Sequence, residues 1–172
     1  MPKVSKDDFK PYFEIEISKK FKPEDRRAIA QEIIDEIISR TENGLDADNK
    51  KFVGYSKTYS REKGQSNVDL TFSGDMLSEI KLLQEKSGKL RIGFERGYDG
   101  LGKVEGNVLG TYGQDKPVNK GRNFLGITQD DLNRILAPYE DNVVEATAQQ
   151  REATSRARDM AKASRVEEPD DE

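Results

Sequence analysis

The sequence predicts an α+β fold in which a small, mostly antiparallel sheet packs against helices. Two observations indicate it. Four short segments alternate apolar and polar residues, as half-buried strands do, and one segment carries apolar residues at helical spacing. A long interaction loop and a helical or disordered C-terminal extension complete the prediction. We expect the domain to occupy residues 1–138 and the extension residues 139–172.

The first predicted elements are a strand and a long helix. Phe13, Ile15 and Ile17 alternate with polar residues, which is the pattern of a strand with one buried face. Pro23 indicates the start of a helix, because a proline in the first turn removes no hydrogen bond that the helix needs. Apolar residues three and four apart then predict a core-facing helix over residues 23–41. That apolar stripe consists of Ile29, Ala30, Ile33, Ile34, Ile37 and Ile38.

Residues 42–66 are predicted to form the long interaction loop. The segment has few apolar residues among many charged residues, glycines and asparagines, and loops beyond ~12–15 residues are usually functional or disordered. Its aromatic side chains suit the anchoring of a loop on a partner surface, and basic residues lie between them. The partner-binding candidates in this loop are Phe52, Tyr55, Tyr59, Arg61 and Lys63.

The same mixture of basic and aromatic residues also suits nucleic acid, through charge and base stacking. The whole chain, however, carries 29 basic and 33 acidic residues, for a net charge of -4. This balance does not favour a general nucleic-acid binder. We therefore prefer a loop that contacts protein or is solvated, and we keep a DNA-binding basic arm as the alternative.

The remaining strands are predicted in the middle of the chain. Residues 68–72 alternate apolar and polar side chains and stop at a Ser-Gly pair. A short helical turn is expected over residues 75–78. Two more alternating segments, residues 80–82 and 90–94, flank a glycine-containing turn, which is typical of a β-hairpin.

Two helices are predicted in the last third of the domain. Residues 98–110 carry one helical stripe, although four glycines weaken that helix by up to about 1 kcal/mol each. A polar loop over residues 113–121 follows. Thr128 and Asp131 then have the spacing of a helix-capping pair, with Asp in place of the usual Glu. Pro138 is predicted to end this short helix.

The composition changes from Tyr139 onward, where alanine, glutamine, arginine and glutamate dominate. These residues favour a helix by propensity, but they offer little apolar surface to hold an isolated one. We expect the extension to become helical on assembly, against a neighbouring subunit, and its acidic end over residues 167–172 to be disordered.

The residue types present exclude several kinds of catalytic site. The 172 residues include no cysteine and no histidine, which removes thiolate nucleophiles, imidazole bases and the usual zinc ligands. The glycines over residues 93–100 lack the GK[ST] ending of a phosphate-binding loop. Asp46 and Asp48 lack the glutamate at the twelfth position of a calcium-binding loop. Asp130 and Asp131 fit a helix start instead.

We expect a protein that is not an enzyme and that uses neither a cofactor nor a metal. Two carboxylates acting as acid and base can come from anywhere in a chain, but the sequence singles out no such pair. No apolar run approaches the ~20 residues of a membrane span, and the N-terminus lacks the apolar core of a signal peptide. A soluble protein made in the cytoplasm is therefore expected.

Three stretches of the chain, read in order between about residues 12 and 136, carry a recognisable set of residues. These residues are Arg40-Thr41, Gly44, Asp46, Phe52, Tyr55-Ser56, Tyr59 and Lys63-Gly64; Val68-Asp69-Leu70-Thr71 and Ser73-Gly74-Asp75-Met76-Leu77; and Lys103, Glu105-Gly106-Asn107, Gly110-Thr111-Tyr112-Gly113 and Arg122-Asn123-Phe124-Leu125-Gly126-Ile127. The most recognisable piece is the Arg-x-Phe-Leu-Gly sequence at residues 122–126. Together the three stretches resemble the virion-morphogenesis family of tailed bacteriophages, which comprises tail-completion and neck proteins.

The resemblance implies a small domain that assembles as a ring, commonly six-fold, in the virion neck at the head–tail junction. It implies a structural role in tail completion or as a tail terminator, with no catalytic residues. The implied partners are further copies of the chain, most simply in a hexamer, and the neighbouring portal-side or connector-side and tail-side virion proteins. DNA in the ring lumen would be a non-specific neighbour.

The motif adds Arg122, Phe124 and Leu125 to the partner-binding candidates. The protein would be made in the bacterial host cytoplasm and incorporated into the virion. The sequence leaves open whether six or twelve subunits assemble. It also leaves open whether the ring is a head-side neck ring or a tail terminator.

Overall fold

The computed structural model of the chain describes residues 9–54, 57–64, 70, 76–111 and 121–164. In these residues an antiparallel sheet combines with helices, which confirms the predicted α+β class. The chain divides into two compact units, residues 1–135 and residues 136–172. The elements in chain order are β1 (Tyr12–Glu16), α1 (Pro23–Glu42), α2 (Lys57–Lys63), a 3-10 turn (Leu77–Glu79), β2 (Lys81–Lys86), β3 (Lys89–Gly93), α3 (Leu101–Leu109) and α4 (Gln129–Ser164).

The described strands form a sheet in the order β1-β3-β2, so the last strand in sequence lies in the centre. β1 and β3 pair antiparallel, with Ile15 opposite Leu90. The predicted hairpin is confirmed: β2 and β3 are joined by Ser87 and Gly88, whose φ angles of 52° and 83° are both left-handed. A two-residue type I′ turn requires positive φ at both positions. A Cβ on Gly88 would also lie 2.6 Å from the carbonyl oxygen of Ile17.

The core of the first unit lies between α1 and the sheet. The predicted helix over residues 23–41 is confirmed as α1, which contacts β2 and β3. Ile29, Ile33 and Ile37 are completely buried on its inner face, while Ile38 is half-buried. The three-to-four residue spacing of isoleucines therefore marks the face that packs on the sheet.

Replacing Ile33 with alanine should lower the free energy of unfolding by about 2–5 kcal/mol, because the change deletes buried methyl groups and leaves a cavity. Chemical denaturation followed by circular dichroism measures the loss. Ile38→Ala on the same helix is the matched control and should cost less, because Ile38 is only half-buried. An Ile33→Ala chain that melts like the wild type would contradict the assignment of this helix face to the core.

Three predictions fall in the region between α1 and β2. The loop prediction for residues 42–66 is wrong where the structure places α2, whose lysine, arginine and glutamate residues are good helix formers. The strand predicted over residues 68–72 lies outside the described residues except for Leu70. That residue is buried with a φ of 56°, which is a left-handed rather than an extended conformation. The helical turn expected over residues 75–78 is present slightly later in the chain, as the 3-10 turn Leu77–Glu79.

The helix predicted over residues 98–110 is confirmed as α3, whereas most of the loop predicted over residues 113–121 lies outside the described residues. The predicted start of α4 is also confirmed, because the hydroxyl oxygen of Thr128 accepts the backbone N–H of Asp131 at 3.2 Å. The predicted end at Pro138 is wrong, since this proline lies inside the helix.

The physical reason for the longer α4 lies in the residues around Pro138. A proline inside a helix removes one backbone hydrogen bond and costs about 3 kcal/mol. The residues that follow it are rich in alanine, glutamate, glutamine and arginine, all good helix formers, so the helix continues through Pro138 to Ser164. The prediction gave the proline too much weight relative to the propensity of this long segment.

Candidate functional site

The candidate site is a junction built around Arg40, a buried arginine in the last turn of α1. Arg40 is only 3% exposed. One terminal nitrogen, Nη2, donates hydrogen bonds to the backbone carbonyls of Phe124 and Gly126, each at 2.9 Å. A cation is favourable at this end of a helix, where the helix dipole is negative. We call this set of contacts the Arg40 junction.

The segment that Arg40 holds is also fixed from two other sides. The backbone N–H of Arg122 donates to the carbonyl of Asn107 in α3 at 2.6 Å. The guanidinium of Arg122 donates to the carbonyl of Val53 at 3.3 and 3.4 Å. The carbonyl of Asn123 accepts the N–H of Ala47 at 2.8 Å. Three separate parts of the chain therefore hold the Arg-x-Phe-Leu-Gly segment by its backbone and its arginine.

The apolar side chains of this segment, Phe124 and Leu125, point into the core. Phe124 is 0% exposed, and its ring packs edge-on against Phe94, with centroids 6.2 Å apart and planes at 84°. Such an edge-to-face pair stabilises beyond the area it buries. Gly126 has a left-handed φ of 142°, and a Cβ there would lie 3.3 Å from the Cβ of Ala47. The glycine of the motif thus lets the chain pass close to the neighbouring loop.

That neighbouring loop is a turn over residues 45–51, closed by an antiparallel bridge between Leu45 and Lys51. The carboxylate of Asp46 accepts the backbone N–H groups of Asp48 and Lys50 at 2.9 and 2.8 Å. Asp46 therefore stabilises the turn, in the way short polar side chains do. Within the described residues no group of three or more His, Cys, Asp or Glu side chains could hold a metal ion.

Asp131, in the first turn of α4, connects the turn over residues 45–51 to α4 and, through Arg134, to α1. It accepts hydrogen bonds from the hydroxyl of Thr128 at 2.6 Å, from the amide of Asn49 at 2.8 Å and from Arg134 at 3.0 Å. Arg134 also donates to Glu36 of α1 at 3.0 Å. The hydroxyl of Thr128 lowers the pKa of Asp131 most, with further lowering from Asn49 and Arg134. Burial opposes them, and the pKa falls from 3.8 to about 2.

Asp131→Asn should lower the free energy of unfolding by about 1 kcal/mol at pH 7. The pKa difference corresponds to at most about 2 kcal/mol at 1.36 kcal/mol per unit, and partial solvent exposure reduces it. Because the folded-state pKa lies below the unfolded value, the stabilisation is complete above pH 3.8 and is lost as the pH falls toward 2. Denaturation at a series of pH values should show the difference between variant and wild type closing over that window. A difference that stays constant down to pH 2 would contradict this role of the carboxylate.

The electrostatics of Arg40 differ from those of Asp131. Burial lowers the pKa of Arg40, and the negative charges of Asp131, Glu36, Asp46 and Asp48 oppose the shift. Among the described residues, Nε and Nη1 of Arg40 and the hydroxyl of Thr41 are buried without a hydrogen-bond partner. The contacts that Arg40 does make are to backbone carbonyls, so the junction holds chain segments together.

The structure separates the predicted partner-binding residues into two groups. Phe52 is half-buried and Arg61 is exposed on α2. Tyr55 lies outside the described residues, as do the side chains of Tyr59 and Lys63, although both belong to α2. The residues that the motif contributed are buried. They are Arg122, Phe124 and Leu125, with 9%, 0% and 8% exposure.

The prediction for this second group is corrected. Phe124 is fully buried and Leu125 nearly so, which makes both of them packing residues of their own chain rather than a partner surface. Arg122 is buried as well and bonds the carbonyl of Val53. Sequence reasoning also missed Arg40 as the centre of the junction. The available signal was its position, since it lies three residues after Ile37 and so continues the buried stripe of α1.

Comparison of the chain with protein-family models, with curated proteins and with solved structures finds no match. Among the described residues no helix is long and apolar enough to cross a membrane.

Proposed function

We propose that this chain is a structural virion protein of a tailed bacteriophage that forms a ring in the neck, at the head–tail junction. Its role there is tail completion or tail termination. It acts as an assembly subunit without catalytic residues, a cofactor or a metal. Its partners are further copies of itself, most simply in a hexamer, and the virion proteins on the portal and tail sides.

The observation that carries the proposal is the convergence of the resembling residues on the Arg40 junction. Arg40 and Phe124 lie 84 residues apart in sequence but are joined by a hydrogen bond of 2.9 Å. Asp46 builds the adjoining turn, and Arg122 bonds the carbonyl that follows Phe52. The recognisable residues thus hold the fold together, as expected where relatives share a scaffold and not a reaction.

The surface near this junction supports contact with neighbouring subunits. Val53 is 51% exposed and follows the half-buried Phe52. The two residues bring apolar surface to the edge of a segment whose next described element is the charged helix α2. The centre of a protein–protein interface is typically apolar, so Phe52 and Val53 are the apolar surface that a neighbouring subunit would cover.

The proposal predicts an oligomer in solution and a defined assembly defect. Six copies of the 19.5 kDa chain have a mass of about 117 kDa, which sedimentation velocity measures, and negative-stain images should show rings. In the phage that encodes the chain, an early stop codon should leave heads and tails separate. Joined particles at normal yield without the protein would contradict the proposal.

The alternative remains a nucleic-acid-handling protein that binds DNA through its basic arm. The exposed Lys57 and Arg61 of α2 favour it, since cations along a strand-binding surface release counterions from phosphates. DNA retention that falls steeply with salt, in a chain that forms no rings, would favour this alternative over the virion ring.

A further inference from the structure

A basic cavity lies at the end of the sheet where β2 turns into β3. Its volume is about 320 Å³, room for about ten water molecules at ~30 Å³ each, so it accepts more than one small polar group. Its charged lining is four basic side chains and one carboxylate, a net charge of +3. These residues are Lys19, Lys86, Lys89, Arg91 and Glu16. We call this site the basic cavity.

Two of its positive charges already have acidic partners. Lys89 lies 3.5 Å from the single carboxylate of the lining, that of Glu16. Arg91 lies 2.6 Å from Glu14 on the neighbouring strand. Lys19 and Lys86, by contrast, are exposed and form no ion pair within the described part of the chain. The basic cavity therefore has two ammonium groups available for an acidic ligand.

The backbone holds these lysines in place. Lys86 and Lys89 flank the tight turn of Ser87 and Gly88, and the carbonyl of Gly88 accepts the N–H of Ile17 at 2.8 Å. Lys19 follows Ile17 by two residues, so this bond brings it beside the turn. A site on a hydrogen-bonded hairpin loses less conformational entropy on binding than a site on a free loop.

We propose that the basic cavity binds the acidic segment at residues 167–172 of a second copy of the chain. The inference rests on the proposed ring, because it names a contact between subunits. Segment 167–172 carries five carboxylates and no basic residue. Its charge of -5 exceeds the net charge of -4 of the whole chain, so the other residues together carry +1. The chain thus joins a nearly neutral body to one strongly acidic peptide.

This distribution favours the acidic peptide over nucleic acid as the ligand. Opposite charges on two surfaces that meet steer association and fix its register. In a ring, every subunit contributes one basic cavity and one acidic segment. The segment of a neighbouring subunit is therefore present at high effective concentration beside each cavity. Any nucleic acid would compete with that segment for the same lysines, and the carboxylates would repel its phosphates.

The experiment reverses the charges on each side separately and then together, in the full-length chain. Lys19→Glu with Lys86→Glu should raise the dissociation constant of the oligomer at least tenfold in sedimentation velocity at low salt. Glu167→Lys with Glu168→Lys should do the same. Combining both pairs should restore association to within about threefold of wild type. Reversal of two exposed cations outside the cavity, Arg96→Glu with Lys103→Glu, is the matched control and should have little effect.

Disulfide formation between introduced cysteines distinguishes a contact with a second copy from a contact within the same chain. The sequence contains no cysteine of its own that could pair with them. A mixture of Lys86→Cys and Glu168→Cys chains should form, under mild oxidation, disulfide-linked dimers that contain one chain of each variant. A mixture of Lys103→Cys and Glu168→Cys chains should not. A chain that carries both Lys86→Cys and Glu168→Cys tests the same contact within one molecule. If it forms only a disulfide within itself, the contact between copies is overturned.

The remaining outcomes separate this inference from the proposed function. A wild-type ring unaffected by reversal at Lys19 and Lys86 would overturn the inference and leave the ring intact. If those reversals abolish binding to a DNA oligonucleotide but leave the oligomer unchanged, the basic cavity is a nucleic-acid site and the inference is wrong. A wild-type chain that stays monomeric at every concentration would contradict the ring itself, and the contact between copies with it.

Discussion

Replacing Phe124 with alanine is expected to lower the free energy of unfolding by about 3–5 kcal/mol, the usual cost of truncating a buried aromatic residue. The ring is 0% exposed and packs edge-on against Phe94. Phe94 is itself stacked on Tyr98, with centroids 5.5 Å apart. The loss of the Phe124 ring leaves a cavity where α1, β3 and the Arg-x-Phe-Leu-Gly segment meet. The surrounding core fills this cavity only in part.

Urea denaturation of the purified chain measures this loss, and Phe52→Ala is the matched control. Phe52 is the same residue type but only half-buried, so its truncation should cost clearly less. Equal losses for the two variants would contradict the packing role of Phe124. If Phe124 instead bound a partner, its truncation would weaken assembly while leaving the stability of the free chain unchanged.

The sequence predicted the elements whose signal is local. The alternation around Ile15 has the two-residue period of a strand, and the isoleucines of α1 recur every three to four residues, as in a helix. Each pattern can be identified within a short stretch of sequence. The turn at Ser87-Gly88 is similarly local, since left-handed φ at adjacent positions needs particular residues. The Thr128 cap belongs to the same class.

The Arg40 junction could not be predicted in this way. The acceptors for Arg40 are backbone carbonyls 84 and 86 residues further along the chain, and every residue type has such a carbonyl. No residue pattern distinguishes these two. The same limit explains why Phe124 and Leu125 were assigned to a partner surface. An apolar motif in a loop predicts that something covers it, but only the tertiary structure identifies the cover as the core of the same chain.

The error at Pro138 and the error in the loop before α2 have a related origin. In both cases a local breaker or a polar composition was given more weight than the helix propensity of the surrounding residues. Propensity is a weak effect for each residue but adds up over a long segment. The charged heptapeptide of α2 and the alanine-rich part of α4 are both helical in the structure.

Arg40→Ala should also lower the free energy of unfolding by about 3–5 kcal/mol, for a different reason. The two carbonyls that Arg40 bonds would lose a charged donor, and hydrogen bonds to charged groups contribute about 1.5–3 kcal/mol each. A buried cation is costly to desolvate, so part of that gain is offset in the native chain. Arg40→Met, which keeps most of the volume but has no donor, should therefore cost less than Arg40→Ala but remain destabilising.

Arg27→Ala is the matched control, because Arg27 lies on the same helix and is exposed, and it should change stability by no more than about 0.5 kcal/mol. A double-mutant cycle of Arg40→Ala with Phe124→Ala tests whether the two residues act as one unit. Side chains that share a buried contact region typically couple by about 0.5–3 kcal/mol. Strict additivity would mean that the two residues stabilise the fold independently, and an Arg40→Met chain as stable as the wild type would mean that the carbonyls find other partners. In that case the guanidinium would not be what joins α1 to the Arg-x-Phe-Leu-Gly segment.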